Sequence, residues 1–280
     1  MCRLGGVVLS NRPRTTEQYQ KITEDLLMLL INMEEAYGGD GVSMTFHYPN
    51  GSYRIIKEHR KVNRVFHRFN EIQQNLMDGA IIVQMHARLS TCGPSKHHEN
   101  MHPFVHGEIV GCHNGQIEDD LIWKELEHFD VFPYSTTDSE AIFAALSVYS
   151  PSLHPRDVQT VLDSLLGTYA FTAVDTEIPN MLFIVRQHNP LCYWQNKKRG
   201  ELWYASTSDL LPETLNIPKR KITRKYMSGK SKGKTYRVEV RNIIELEEGE
   251  GLYVRSHRKH ISLEKHQFDV WGTYNSLQEW

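Results

Sequence analysis

The sequence predicts an α+β protein built mainly on antiparallel sheets. Strand-like runs outnumber helical ones, and the helices come in sequential pairs around groups of strands. Strict strand–helix–strand alternation, the mark of a parallel sheet, is missing. Residues 5–10 hold the short apolar run Val7-Val8-Leu9, as expected of a buried strand. Residues 15–37 carry Ile22, Leu26, Leu27, Leu29, Leu30 and Met33 at helical spacing. Thr16 is the expected N-cap, and Gly38-Gly39-Asp40-Gly41 ends the helix. A strand over 42–48, an Asn50-Gly51 turn and a strand over 52–56 make a hairpin. Further helices are expected at 61–76, 139–149 and 156–165, and further strands at 80–88, 109–113, 169–175, 181–187, 191–195 and 201–206. Apolar periodicity returns at 243–246 and 251–254.

The bulk properties exclude several classes. The 280 residues are enough for a substantial core. A net charge of -2, 24% charged residues and a mean hydropathy of -0.49 describe an ordinary globular chain. No run approaches the roughly 18 apolar residues of a membrane helix, and the start lacks a secretory pattern. Cys2, Cys92, Cys112 and Cys192 are too sparse for a disulfide scaffold, so the expected setting is a reducing cytoplasm. One compositional shift stands out: residues 219–241 hold ten lysines and arginines, expected as an inserted basic loop (about 219–236) within one domain at 2–265. An aromatic tail with Trp271, Tyr274 and Trp280 fills 266–280 and is expected to dock on the body. The basic stretch suits solvent or an anionic partner.

The chemistry begins at the second residue. If Met1 is removed, Cys2 carries a thiol and a free α-amine on one residue. A thiol attacks as thiolate, with an ordinary pKa of roughly 8.5. An α-amine titrates near pH ~8 and can take that proton. Further along, the strand Val83-Gln84-Met85-His86-Ala87-Arg88 runs into a glycine-ended loop. Another delivers His113-Asn114-Gly115, where a side-chain amide beside a glycine N–H offers two neutral donors to an oxyanion.

Taken in order, these segments resemble the class II glutamine amidotransferase domain, the N-terminal-nucleophile glutaminase. The likeness is closest to the glutaminase half of glucosamine-6-phosphate synthase and its stand-alone relatives. Cys2 stands at the family's nucleophile. His86-Ala87-Arg88-Leu89-Ser90-Thr91-Cys92-Gly93 is similar to His-Thr-Arg-Trp-Ala-Thr-His-Gly, and Asn100-Met101-His102-Pro103 to Asn-Ala-His-Pro. His113-Asn114-Gly115 matches outright, and Thr137-Asp138-Ser139-Glu140 resembles Thr-Asp-Thr-Glu. Three later stretches, at 167–170, 186–191 and 205–209, also resemble family motifs.

The resemblance implies a four-layer α/β/β/α sandwich of mostly antiparallel sheets, with no cofactor. It implies that Cys2 attacks the glutamine side-chain amide and forms a thioester, with Asn114 and the Gly115 N–H holding the oxyanion. Arg88 would grip the substrate α-carboxylate through its planar fork, and Asp138 would meet the α-ammonium. Leu89, Thr91, Cys92 and His102 would line the pocket. The ammonia would go to an acceptor on a separate synthase subunit. Leu89 and Cys92 replace the family's tryptophan and histidine, and the early glycine-rich turn at 37–43 lacks the family's arginine.

Other readings of the same residues stay open. Asp138 sits in an N-cap sequence, Arg88 suits a salt bridge, and His113 suits a structural histidine. The set Cys92, His97, His98, His102, His106, Cys112 and His113 fits no zinc-finger spacing, and Pro94 and Pro103 interrupt any helical face, so no metal is expected. The same fold could cleave another γ-glutamyl or acyl amide, or persist as a catalytically silent binding module.

Overall fold

A computed structural model describes residues 2–37, 39–59, 63–89, 97–226 and 234–270. In chain order the elements are β1 (Arg3–Leu9), α1 (Thr16–Tyr37), β2 (Gly41–His47), β3 (Tyr53–His59), α2 (Asn63–Phe66), α3 (Phe69–Met77) and β4 (Ile82–Arg88). Then follow β5 (Phe104–His106), β6 (Ile109–Glu118), α4 (Asp120–Leu126), α5 (Ser139–Tyr149), α6 (Pro155–Ser164), β7 (Leu166–Asp175) and β8 (Met181–Gln187). The chain continues with β9 (Cys192–Asn196), β10 (Glu201–Ala205), β11 (Lys219–Tyr226), β12 (Lys234–Arg241), β13 (Ile244–Glu245), β14 (Glu250–Ser256) and β15 (Ile261–Gln267).

Two sheets are stacked face to face. One runs β13-β9-β10-β1-β4-β2-β3, the other β15-β14-β8-β7-β6-β5, and the strand pairs within both are antiparallel. Strand alternation sorts the apolar residues into three layers. Val7, Leu9, Val83 and Met85 meet Leu26, Leu29 and Leu30 of α1 and Ile72 of α3. Leu4, Val8 and Ile82 point the other way, against Val174, Leu182 and Ile184 of the second sheet. Phe171, Phe183 and Val185 leave that sheet outward, toward Ile142 and Phe143 of α5 and Val158 and Val161 of α6. The expected α/β/β/α order follows, and it explains why β1 is buried along its whole length: both of its faces are covered.

Local chemistry sets several boundaries. The cap of α1 is Thr15 and not Thr16. Gln18 N donates to Thr15 Oγ1 (3.3 Å) while Thr15 N donates to Gln18 Oε1 (3.1 Å), a reciprocal capping box. The helix expected over 61–76 is two pieces, α2 and α3, separated by a turn that Arg68 N closes onto Val65 O (2.9 Å). The strand expected to end at His113 continues to Glu118, because β7 begins earlier than its apolar run and pairs Gly115 with Tyr169 and Glu118 with Leu166. The basic stretch is not a plain loop: β11 and β12 form their own antiparallel ribbon, with Lys219 opposite Arg241 and Tyr226 opposite Lys234. Residues 227–233 lie outside the described part.

At the C-terminal end, β15 runs through Gln267, and Phe268 is buried against Phe183 (centroids 6.0 Å). Trp271, Tyr274 and Trp280 lie outside the described residues. No helix among the described residues is long and apolar enough to cross a membrane.

Candidate active site

The first sheet supplies one half of the site. β1 and β4 pair antiparallel with Arg3 opposite Ala87 and Leu4 opposite His86. The same register carries Cys2 to the level of Arg88, where both strands end on the same edge. The Cys2 thiol donates to the Leu89 carbonyl (3.5 Å). Burial raises the Cys2 thiol above its ordinary pKa, while the Arg88 guanidinium pulls it down and the Asp138 carboxylate pushes it up. The sulfur therefore senses charge from both sheets. Arg88 is buried, and its carbonyl accepts from Asp40 N (3.2 Å).

The second sheet supplies the other half from β6 and the start of α5. Asn114 is fully buried (0% exposed), and neither Oδ1 nor Nδ2 of its side chain has a hydrogen-bond partner among the described residues. A buried amide left unpaired costs about 1–3 kcal/mol, so the arrangement suits a group that a ligand completes. Its main chain, in contrast, is held: Asn189 Nδ2 donates to Asn114 O (2.9 Å). Gly115 is there of necessity, since a Cβ would stand 2.0 Å from Thr168 O and 2.7 Å from Asn189 Nδ2.

Asp138 joins β6 to α5. Its Oδ1 accepts from Ser139 N (2.9 Å) at the helix start, and its Oδ2 accepts from Ile117 N (2.8 Å). The capping role raised by the sequence is thus present, and the carboxylate still lies within electrostatic reach of Cys2. The approach to Asp138 is braced by Asn100, whose Oδ1 accepts from Thr136 N (2.9 Å). Buried Glu140 accepts from Tyr134 N (2.9 Å), Ser135 N (2.8 Å) and His106 Nε2 (2.8 Å). Burial opposes its charge, yet these donors together lower its pKa.

Buried imidazoles back the site. The rings of His86 and His102 pack at 3.9 Å with their planes tilted by 34°, and His102 meets Phe104 edge-on at 4.7 Å. His113 Nδ1 lies 2.8 Å from Ser139 Oγ. Burial lowers His86 to about 3 and His113 to about 4, and holds His102 well below its ordinary value. All three are neutral at neutral pH. Lys57 closes the region from β3, donating to the carbonyls of Met101 (2.6 Å), Pro103 (3.2 Å) and His98 (3.3 Å); burial lowers it to about 8.

The structure thus brings Cys2, Arg88, Leu89 and Asp138 to one end of the sandwich, with Asn114 and Gly115 on the facing strand and His102 packed behind. Thr91 and Cys92 lie outside the described residues. Among the histidines that raised the question of zinc, His97 pairs with Glu99, His106 with Glu140, and His113 with Ser139, each in a different direction. Sequence reasoning missed Asn189 and Thr168, whose contribution comes only through the pairing of β6 with β7.

This fold and the order of these residues resemble a class II glutamine amidotransferase domain of the N-terminal-nucleophile type. Residues 86–213 match the family model of the glutamine amidotransferase domain. It is 25% identical over 212 residues to 7-cyano-7-deazaguanine synthase 2 of Sulfurisphaera tokodaii, covering 75% of this chain and 44% of that protein. It is 28% identical over 176 residues to glutamine–fructose-6-phosphate aminotransferase (isomerizing) of Acinetobacter baylyi, covering 61% of this chain and 28% of that protein. The chain spans less than half the length of these relatives.

Among solved structures, the glutamine phosphoribosylpyrophosphate amidotransferase from B. subtilis superposes with a TM-score of 0.61 at 16% identity, over 94% of this chain and 49% of that one. A glutamine aminotransferase class-II domain protein from Silicibacter pomeroyi gives 0.53 at 13% identity, over 95% and 99%. At such identities the likeness speaks for the fold.

Proposed function

We propose that the chain hydrolyses the side-chain amide of free glutamine through Cys2 and delivers the ammonia to an acceptor on a partner protein. The observation that carries this reading is the buried, unpartnered amide of Asn114, set on the strand facing the Cys2–Arg88 edge.

Burial keeps the Cys2 thiol protonated at neutral pH, so attack requires a base. Removal of Met1 frees the α-amine of Cys2 to serve as that base. The thiolate adds to the amide carbon, and the oxyanion is held by Asn114 Nδ2 and the Gly115 N–H. The C–N bond then breaks as the α-ammonium returns its proton to the leaving nitrogen, giving ammonia and a thioester. Water hydrolyses the thioester to glutamate and restores the thiol. Arg88 and Asp138 meet the substrate's α-carboxylate and α-ammonium, which selects free glutamine over amides lacking both charges. Leu89 and His102 wall the pocket; the resemblance assigns Thr91 and Cys92, which lie outside the described residues, to the same substrate-binding role.

The names of the curated relatives are those of synthases and an aminotransferase, and they are longer than this chain. The ten basic residues of 219–241 suit an anionic partner. Cys2, Cys112 and Cys192 are free thiols, consistent with a reducing compartment.

The test is covalent capture. Protein lacking Met1 should release ammonia and glutamate from glutamine in a 1:1 ratio; treated with 6-diazo-5-oxo-norleucine, it should gain one adduct on Cys2 by peptide mass spectrometry and lose that activity. Adduct formation with preferential cleavage of γ-glutamyl dipeptides would move the substrate to another amide. Neither adduct nor ammonia would leave a silent binding module.

A further inference from the structure

β4 carries a polar spine of which the proposed reaction uses only Arg88. Val83, Met85 and Ala87 pack against the helices on one side of the first sheet. Gln84, His86 and Arg88 alternate with them and face the second sheet, where all three are buried. Two of the three cross the gap. Gln84 Nε2 donates to Thr172 Oγ1 on β7 (2.9 Å), and its Oε1 lies 2.8 Å from His47 Nε2 on the neighbouring β2. His86 Nε2 lies 3.1 Å from the carbonyl oxygen of His113 on β6. A carbonyl only accepts, so Nε2 carries the proton and His86 is the donor.

This bond joins the two halves of the site at one point. His86 stands two residues before Arg88, which is level with Cys2, and His113 stands one residue before Asn114. We infer that His86 is a positioning residue: its neutral imidazole clamps the His113 carbonyl and so fixes the distance between the sheet of the nucleophile and the strand of the oxyanion donor. The inference rests on the proposed glutaminase reading for its kinetic consequence, though not for its structural one.

The surroundings suit the role. His102 packs against the His86 ring at 3.9 Å with the planes tilted by 34°, while Phe104 backs His102 at 4.7 Å. The groups facing His86 are His102 from the segment before β5, His113 from β6, Arg88 from its own strand and Lys57 from β3. None is an acid, and burial with this cationic company keeps the imidazole neutral, as the donor geometry needs. Asn114 gains no support from its own side chain, which has no partner among the described residues. Its placement depends on its main chain: Asn189 holds its carbonyl, and His86 holds the preceding one.

The test compares His86→Phe, which keeps a ring for His102 but removes the donor, with His86→Gln, which restores an N–H. For a displacement of the order of 1 Å at the reacting centre, kcat for glutamine hydrolysis should fall by about 10²-fold in His86→Phe, with KM changed less than about threefold. His86→Gln should recover at least tenfold of that loss, and His47→Gln, which removes a bond within the first sheet and none to the second, should stay within about fivefold of the wild type. Unchanged kcat in His86→Phe, or equal losses in all three variants, overturns the role. A second readout does not depend on turnover: the Asn114 side-chain amide cross-peaks in a nitrogen–proton correlation spectrum should shift or broaden in His86→Phe and return in His86→Gln. A wild type without glutaminase activity but with that spectral response would refute the proposed reaction and keep the clamp. An unmoved Asn114 signal would refute the clamp alone.

Discussion

Of the two stacked sheets, the seven-stranded one brings Cys2 and Arg88 to the site, and the six-stranded one brings Asn114 and Gly115. Their contributions are built differently. On the first sheet, side chains are tied: the Cys2 thiol to Leu89, His86 to His113, Gln84 to Thr172. On the second, the main chain is tied and the key side chain is not: Asn189 holds Asn114 O, while the Asn114 amide itself stays unpaired in a fully buried position. A folded protein that tolerates an unpaired buried amide has given up stability that pairing would supply. Stability and activity should therefore respond to mutation with opposite signs on the second sheet and with the same sign on the first.

The largest effect is expected where that contrast is strongest. Asn114→Ala removes the amide proposed to meet the oxyanion, so kcat for glutamine hydrolysis should drop by about 10²–10³-fold, with KM nearly unchanged. The same change removes a buried polar group that has no hydrogen-bond partner among the described residues. The urea midpoint should therefore stay level or rise. Steady-state kinetics beside equilibrium unfolding decide the matter. A loss of stability with kcat intact would make Asn114 a packing residue and dissolve the comparison.

Arg88 tests the other sheet. Arg88→Lys keeps the positive charge but loses the planar fork that matches a carboxylate. The expected outcome is a KM for glutamine raised by about tenfold or more, equivalent to ~1.4 kcal/mol or more, with kcat within a few-fold. For an analogue lacking the α-carboxylate, wild type and variant should perform alike. If the variant is equally impaired on both substrates, Arg88 serves the fold or the thiol instead of the carboxylate.

Much of this arrangement was legible in the chain, for reasons that differ by element. Helix α5 was bounded correctly because Thr136-Thr137-Asp138 is a cap and the run behind it is apolar. The order of Cys2, Arg88 and Asn114-Gly115 along the chain carries the resemblance, while their meeting at one end of the sandwich comes from the pairing of β1 with β4 and the stacking of β6 on them. The far half of β6 was not readable, since Gly115-Gln116 interrupts the apolar run and its strand character comes from pairing with β7. Alternation in β4 suggested a polar cluster but gave no sign that Gln84 and His86 face a second sheet. A stripe of polar residues looks the same in sequence whether water or another strand covers it. Asn189 was hidden for a similar reason: it reaches Asn114 only because β7 and β8 fold back beside β6.

The smallest effect compares the sheets through pH. His47 and His86 lie on the first sheet and His113 on the second, and burial lowers all three, to about 4, about 3 and about 4, from an ordinary value near 6.5. As pH falls through 6.5, the unfolded chain takes up protons that the folded chain refuses, so stability is complete above that pH and is lost toward the folded values. Between pH 6 and 5 each such histidine should cost about 1 kcal/mol. The urea midpoint should accordingly fall with acid, and His47→Gln should flatten the slope by roughly one histidine's share without touching kcat at pH 7.5. His86→Gln should flatten it by a similar amount while also lowering kcat. Two substitutions on one sheet with matching acid profiles and different kinetics would separate histidines that only fill the gap from the one that spaces the site. A stability profile flat from pH 7 to 4 would mean that these imidazoles take up protons in the folded state and are not held neutral between the sheets.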